Sequence, residues 1–159
     1  MTYNSKRTLT AMVLGAILSG AYVVFALGKH APKSDDLKAW AAAMLVFIGI
    51  GIAGQIVIQI LFHLAYAIGI AVKEQNCDDK EVERIINLSM KEDERDKLIN
   101  LKSSRFGYIC SGIGFVAALA LWAFGCAAVF GLHILFGSVL IGSLIEGIAN
   151  VFLHERGVR

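Results

Sequence analysis

Proline occurs once in this chain, at Pro32, and charge is almost missing from four long stretches. Thr8 to Gly28, Ala39 to Val72, Phe106 to Phe130 and Leu132 to Leu153 hold no Lys, Arg or Asp, and Glu146 is their only acid. Without proline nothing interrupts a long helix, and without charge these stretches have no ordinary solvated face. Cysteine is scarce as well. Cys77, Cys110 and Cys126 stand at neither metal-motif nor redox-motif spacing, so zinc-ribbon and thioredoxin-type sites are not indicated and packing is their expected role. There is no Gly-rich phosphate loop, no nucleophile elbow and no metalloprotease pair of histidines, so no enzyme motif emerges. A net charge of +2 with no clustered basic face gives no footing for a nucleic-acid partner.

What is present is hydrocarbon. The 159 residues are 57% hydrophobic, above the roughly 45–50% of soluble domains, and the mean hydropathy is +0.65. A spanning helix needs about 20 mostly apolar residues at about 1.5 Å each. The blocks therefore predict spans at about 8–28, 40–64, 105–128 and 132–153. The second block is too long for one perpendicular span and too short for two, so it is expected to continue to about residue 72 as a helix leaving the membrane. The first follows Lys6 and Arg7, as a signal peptide would. Its apolar run is about twice a typical signal core, and no small-x-small site ends it, so a retained helix is expected.

The expected fold is all-α: an integral membrane four-helix bundle of two hairpins, with an amphipathic cytoplasmic helical insert at about 73–104. Lys6, Arg7, the basic residues of Lys73 to Arg105, Arg156 and Arg159 outweigh Lys29, Lys33 and Lys38 of the first hairpin loop. That bias places both termini and the insert on the cytoplasmic side of the inner, cytoplasmic membrane. The second loop is expected near Gly125 to His133, short and apolar. Ile58 to His63 matches Ala149 to His154 in position and chemistry, the pattern of a parallel repeat of two hairpins. Small residues at Gly15/Ser19, Ala16/Gly20, Ser138/Gly142 and Ser143/Gly147 let helix backbones approach closely. Packing within one chain is the first use of these pairs, and a homodimer seam is the other.

Polar residues inside the blocks carry the functional expectation. Gln55, Gln59 and His63 follow at i, i+4, i+8, and so do Glu146, Asn150 and His154. Such spacing keeps each trio on one side of its helix, and polar side chains in hydrocarbon usually face a bundle interior, a partner or a cavity. Glu146 is open to three readings: hydrogen-bonding glue to Gln55, Gln59 or a carbonyl, a metal ligand, or a proton-coupled site. With His63 and His154 it offers donors suited to a divalent metal. A b-type haem ligated by these histidines, with His30 and His133 near the opposite face, fits less well because nothing else marks a porphyrin pocket. Interfacial imidazoles in contact with water are the plainest reading.

In the insert, Asp78 or Asp79 can cap a helix with Val82, Ile85, Ile86 and Met90 on its apolar face. A second helix, carrying Asp93, Glu94, Arg95 and Asp96, is expected to run into the third span, anchored by Lys102, Arg105 and Tyr108. This run, Asp93-Glu94-Arg95-Asp96 followed by Ile99, Lys102, Arg105 and Tyr108 between two hydrophobic hairpins, resembles uncharacterised small prokaryotic four-helix membrane protein families. Those share an Asp-Glu-Arg-acid motif, then a Lys and an aromatic at the start of the third helix. The resemblance implies the architecture and no activity. His154-Glu155-Arg156 departs from the families' aromatic-and-basic ending. On its own chemistry Arg95 suits a clamp on an acid or carbonyl, while Asp93, Glu94, Arg95 and Lys102 together suit docking of a cytoplasmic protein.

The expected function is thus a non-enzymatic membrane protein that binds a partner or small ligand, in regulation or immunity. The internal cluster would be Gln55, Gln59, His63, Glu146, Asn150 and His154. An oligomeric transporter or channel using the same cluster is the alternative, and a haem or metal redox protein the third.

Overall fold

The computed structural model describes residues 3–73 and 94–156 and is all-helical over them, without a strand. Four helices follow in order: α1 Tyr3–Leu27, α2 Leu37–Lys73, α3 Glu94–Ala123 and α4 Ala128–Arg156. Each is long and apolar enough to cross a membrane, the signature of a multi-pass membrane protein. Asp93, Cys77 and the first expected insert helix lie outside the described residues.

Local chemistry sets the boundaries. The Asp36 carboxylate accepts the Ala39 amide at 2.9 Å and caps α2. The Trp40 indole then donates back to the Lys33 carbonyl at 3.0 Å, closing the loop that holds Pro32. With no proline to interrupt it, α2 runs unbroken for 37 residues. At about 1.5 Å per residue that is about 55 Å, well beyond a bilayer core of about 30 Å. The polar run from Glu94 and the third apolar block form one continuous helix, α3. The second turn is shorter than expected. His133 lies inside α4, and the chain reverses over residues 124–127. Gly125 adopts φ 79°, the Cys126 amide donates to Leu121 O at 3.0 Å and the Gly125 amide to Trp122 O at 3.1 Å. This pair of bonds around a left-handed glycine ends a helix within two residues.

The helices alternate in direction. Bonds from Arg7 to Gln59, Thr8 to Asn150 and Asn150 to Asn100 gather one set of ends. Rings of Phe25, Trp40 and His133 gather the other, with centroids 6.3 Å and 4.3 Å from Trp40. We call these the Arg7 end and the Trp40 end. Helix α4 is central: it packs along α3 and α1, while α2 lies mainly on α1 and touches α4 lightly.

The α3–α4 seam is made of small residues. Ser103, Gly107, Gly114 and Ala118 of α3 are buried, as are Gly131, Gly142 and Gly147 of α4. A Cβ on Gly142 would sit 3.0 Å from the Gly107 carbonyl oxygen, and one on Gly114 would fall on the Ser138 side chain. Gly147 faces Met12 of α1 instead, and nothing stands within 4 Å of a Cβ placed on Gly20. Of the small-residue pairs in the sequence, Ser138 and Gly142 therefore serve packing within the chain. Towards the Trp40 end α1, α2 and α4 meet through aromatics. Tyr22 is buried with its ring 5.3 Å from Phe47 and 4.5 Å from Phe136.

Candidate functional site

Four helices bring polar side chains together at the Arg7 end. Asn150 of α4, buried at 6% exposure, is the hub. Its amide nitrogen donates to Asn100 Oδ1 at 2.7 Å and Ser103 Oγ at 3.2 Å, both on α3. Its oxygen accepts from Thr8 Oγ1 of α1 at 3.2 Å. Ser103 in turn donates to the Asn100 carbonyl at 3.0 Å. A buried carboxamide satisfied on both sides fixes three helices in register.

One turn towards the Trp40 end, Glu146 lies against α3. Ser104 Oγ donates to its Oε1 at 2.8 Å. Its Oε2 lies over Gly107, where an added Cβ would come within 2.7 Å. Glycine at 107 is what admits the carboxylate to the seam. Across from it, Arg7 of α1 donates from Nη2 to Gln59 Oε1 of α2 at 2.9 Å. The oxygen must be the acceptor, because a guanidinium only donates.

Between these groups is a cavity of about 490 Å³ whose walls include Arg7, Thr8, Gln55, Gln59, Asn100, Glu146 and Asn150. The Gln55 and Gln59 pair and the Glu146 and Asn150 pair thus line one space. A second, apolar cavity of about 690 Å³ shares the walls Gly15, Gln55, Gln59 and Ser143 and extends along Leu14, Leu18, Ile52 and Ile56. Both volumes fall within the roughly 300–1,000 Å³ typical of ligand sites.

The third members of the two trios go elsewhere. His63 lines the apolar cavity only. His154 is buried against α3, its Nδ1 3.6 Å from Asp96 Oδ1. Arg95 Nη2 donates to the His154 carbonyl at 3.4 Å, so Arg95 holds the last turn of α4. Arg156 lies 4.6 Å from the centre of the Phe152 ring. Among the described residues no three His, Cys, Asp or Glu side chains form a group able to hold a metal ion. His63, Glu146 and His154, expected as a divalent-metal set, are not brought together. His133 bonds Val129 O at 2.8 Å through Nδ1 and packs on Trp40 at the far end. Glu94 and Lys102 stand on the first three turns of α3 and line neither cavity.

Sequence reasoning missed Arg7, Thr8, Asn100, Ser103, Ser104 and Gly107 as site residues. The signal was there for α3. Asn100, Ser103, Ser104 and Gly107 follow at i, i+3, i+4, i+7, one face of a helix. The chain matches no family model, no curated protein and no solved structure.

Proposed function

We propose that this is a cytoplasmic-membrane protein of two hairpins, with both termini and the segment between α2 and α3 in the cytoplasm, that acts by binding a small ligand at the Arg7 end. The observation that carries the reading is the polar cavity whose walls come from all four helices. A cavity lined by a cation, a carboxylate and four carboxamides, at the cytoplasmic edge of the spans, offers polar groups for an occupant to satisfy. Helix α3 lines it through Asn100 and also holds the end of α4 through Arg95. Occupancy of the cavity is thereby linked to the start of α3, which adjoins the cytoplasmic segment and any protein docked there. The orientation rests on the excess of Lys and Arg on the cytoplasmic side.

Thermal unfolding of the detergent-purified chain tests the binding. It would be measured with the polar and the lipid extracts of cells that make the protein. Ligand at about 100 times its Kd adds about 2.7 kcal/mol of stability. One of the two extracts is expected to raise Tm, and Gln59→Leu to remove the rise. If neither extract moves Tm, the binding reading fails.

A further inference from the structure

Resting on the binding reading above, we propose that the occupant is one anionic phospholipid, its phosphodiester head in the polar cavity and an acyl chain in the apolar one. The hydrogen-bonding capacity of the cavity wall points to the head. Asn150 has both amide hydrogens and its oxygen engaged. Glu146 is turned to α3, one oxygen on Ser104 and the other over Gly107. The cavity's one carboxylate is therefore occupied with its neighbour. Arg7 bonds Gln59 through Nη2, and a guanidinium has five N–H donors. Gln59 gives its oxygen to that bond and keeps its NH2 group. Gln55, half-buried where the two cavities share a wall, makes no side-chain hydrogen bond among the described residues. On its α1 and α2 side the wall thus offers free donors and its one cation, while the one carboxylate faces α3. Such a wall selects an anion with several acceptor oxygens, and phosphate suits an arginine fork.

The second cavity decides between a lipid and a soluble anion. It opens from the same glutamines and runs between aliphatic side chains of α1 and α2, such as Leu18 and Ile52. A soluble phosphate would leave that space unfilled, and a plain hydrocarbon would leave Gln55 unsatisfied. A molecule with an anionic head and an apolar tail matches both cavities at once. Its head would be held by named donors of α1 and α2, which distinguishes it from a lipid lying anywhere on the outer surface.

The test uses the full chain, delipidated in mild detergent, with native mass spectrometry and a thermal melt for every variant. The probes are phosphatidylglycerol, phosphatidylcholine and glycerol phosphate. Expected are one phosphatidylglycerol per chain, weaker binding of phosphatidylcholine, and little binding of glycerol phosphate. Arg7→Gln should weaken phosphatidylglycerol by about tenfold or more, with Arg7→Lys recovering part of the loss. Ile52→Trp, which fills the apolar cavity and leaves the head site intact, should weaken it too. Equal binding of both lipids, unchanged by Arg7→Gln in a chain that melts normally, would mean surface lipid only and overturn the proposal. Glycerol phosphate bound as tightly as the lipid and indifferent to Ile52→Trp would overturn the lipid while the binding site stands. Absence of binding by all three probes, with no Tm rise from either cell extract, would remove both.

Discussion

Along α3 and α4 the facing residues are glycine, serine and alanine, close enough that the Gly107 carbonyl lies 3.0 Å from a Cβ placed on Gly142. Along α1 and α2 the contacts include Leu14 on Gly54 and Leu18 on Gly51, and the side of α2 towards α4 is a groove. Lipid chains are as apolar as leucine, so helices in a membrane associate by contact and hydrogen bonds rather than by escaping water. Small residues along a whole seam give that contact continuously. Bulky aliphatic residues that meet a neighbour on one side only do not. The difference separates a frame, α3 with α4 and the adjoining face of α1, from a lighter element, α2, that leaves room for a guest.

The sharpest way to break this contrast is Gly114→Leu. The side chain would fall on Ser138, backed by the Ile134 carbonyl. We expect a loss of about 3 kcal/mol or outright misfolding, read as a lower Tm in detergent. Asn150→Leu comes next. It removes three interhelical hydrogen bonds at once, each worth roughly 0.6 kcal/mol on average in a membrane protein. The expected cost is about 2 kcal/mol, read by the same melt. On the lighter side, a Cβ on Gly51 meets only the tip of Leu18, and one on Gly49 meets nothing within 4 Å. Gly51→Ala and Gly49→Ala should stay within about 1 kcal/mol of the parent, with Gly49→Ala on the stabilising side. If Gly51→Ala proved as harmful as Gly114→Leu, α2 would belong to the frame after all. The smallest effect on stability is expected for Gln59→Leu, which removes one half-buried bond to Arg7. Its signature is the loss of the ligand-induced rise in Tm with the unliganded melt nearly unchanged.

Four helices were legible from the apolar blocks because length and lack of charge are one-dimensional signals. Their ends were less so. The second turn came out shorter because Gly125 ends α3 abruptly, an effect of one residue's backbone freedom. Two members of each polar trio, Gln55 and Gln59 of α2 and Glu146 and Asn150 of α4, line one cavity. The histidines do not join them: His154 lies against α3 as Glu146 does, but about two turns further along beside Asp96, and His63 lines the apolar cavity. Asn100, Ser103 and Ser104 escaped notice because they precede the third apolar block and read as insert, although α3 carries them into the bundle. In the sequence Arg7 speaks only to orientation and Thr8 only opens the first apolar block, since nothing on one helix announces a partner on another.

The length and attachment of α2 have a mechanical consequence. One extremity of the helix is buried, with Trp40 5% exposed among the rings of Phe25 and His133. It is a single rod from there to Lys73. Gln59 is about 28 Å along from Trp40 and Lys73 about 50 Å, at about 1.5 Å per residue. Tilting about the tryptophan turns a gap that opens by about 2 Å beside Gln59 into a sweep of about 3.5 Å at the far tip. A tilt about Trp40 would therefore gain a factor of about 1.7 in travel between Gln59 and Lys73.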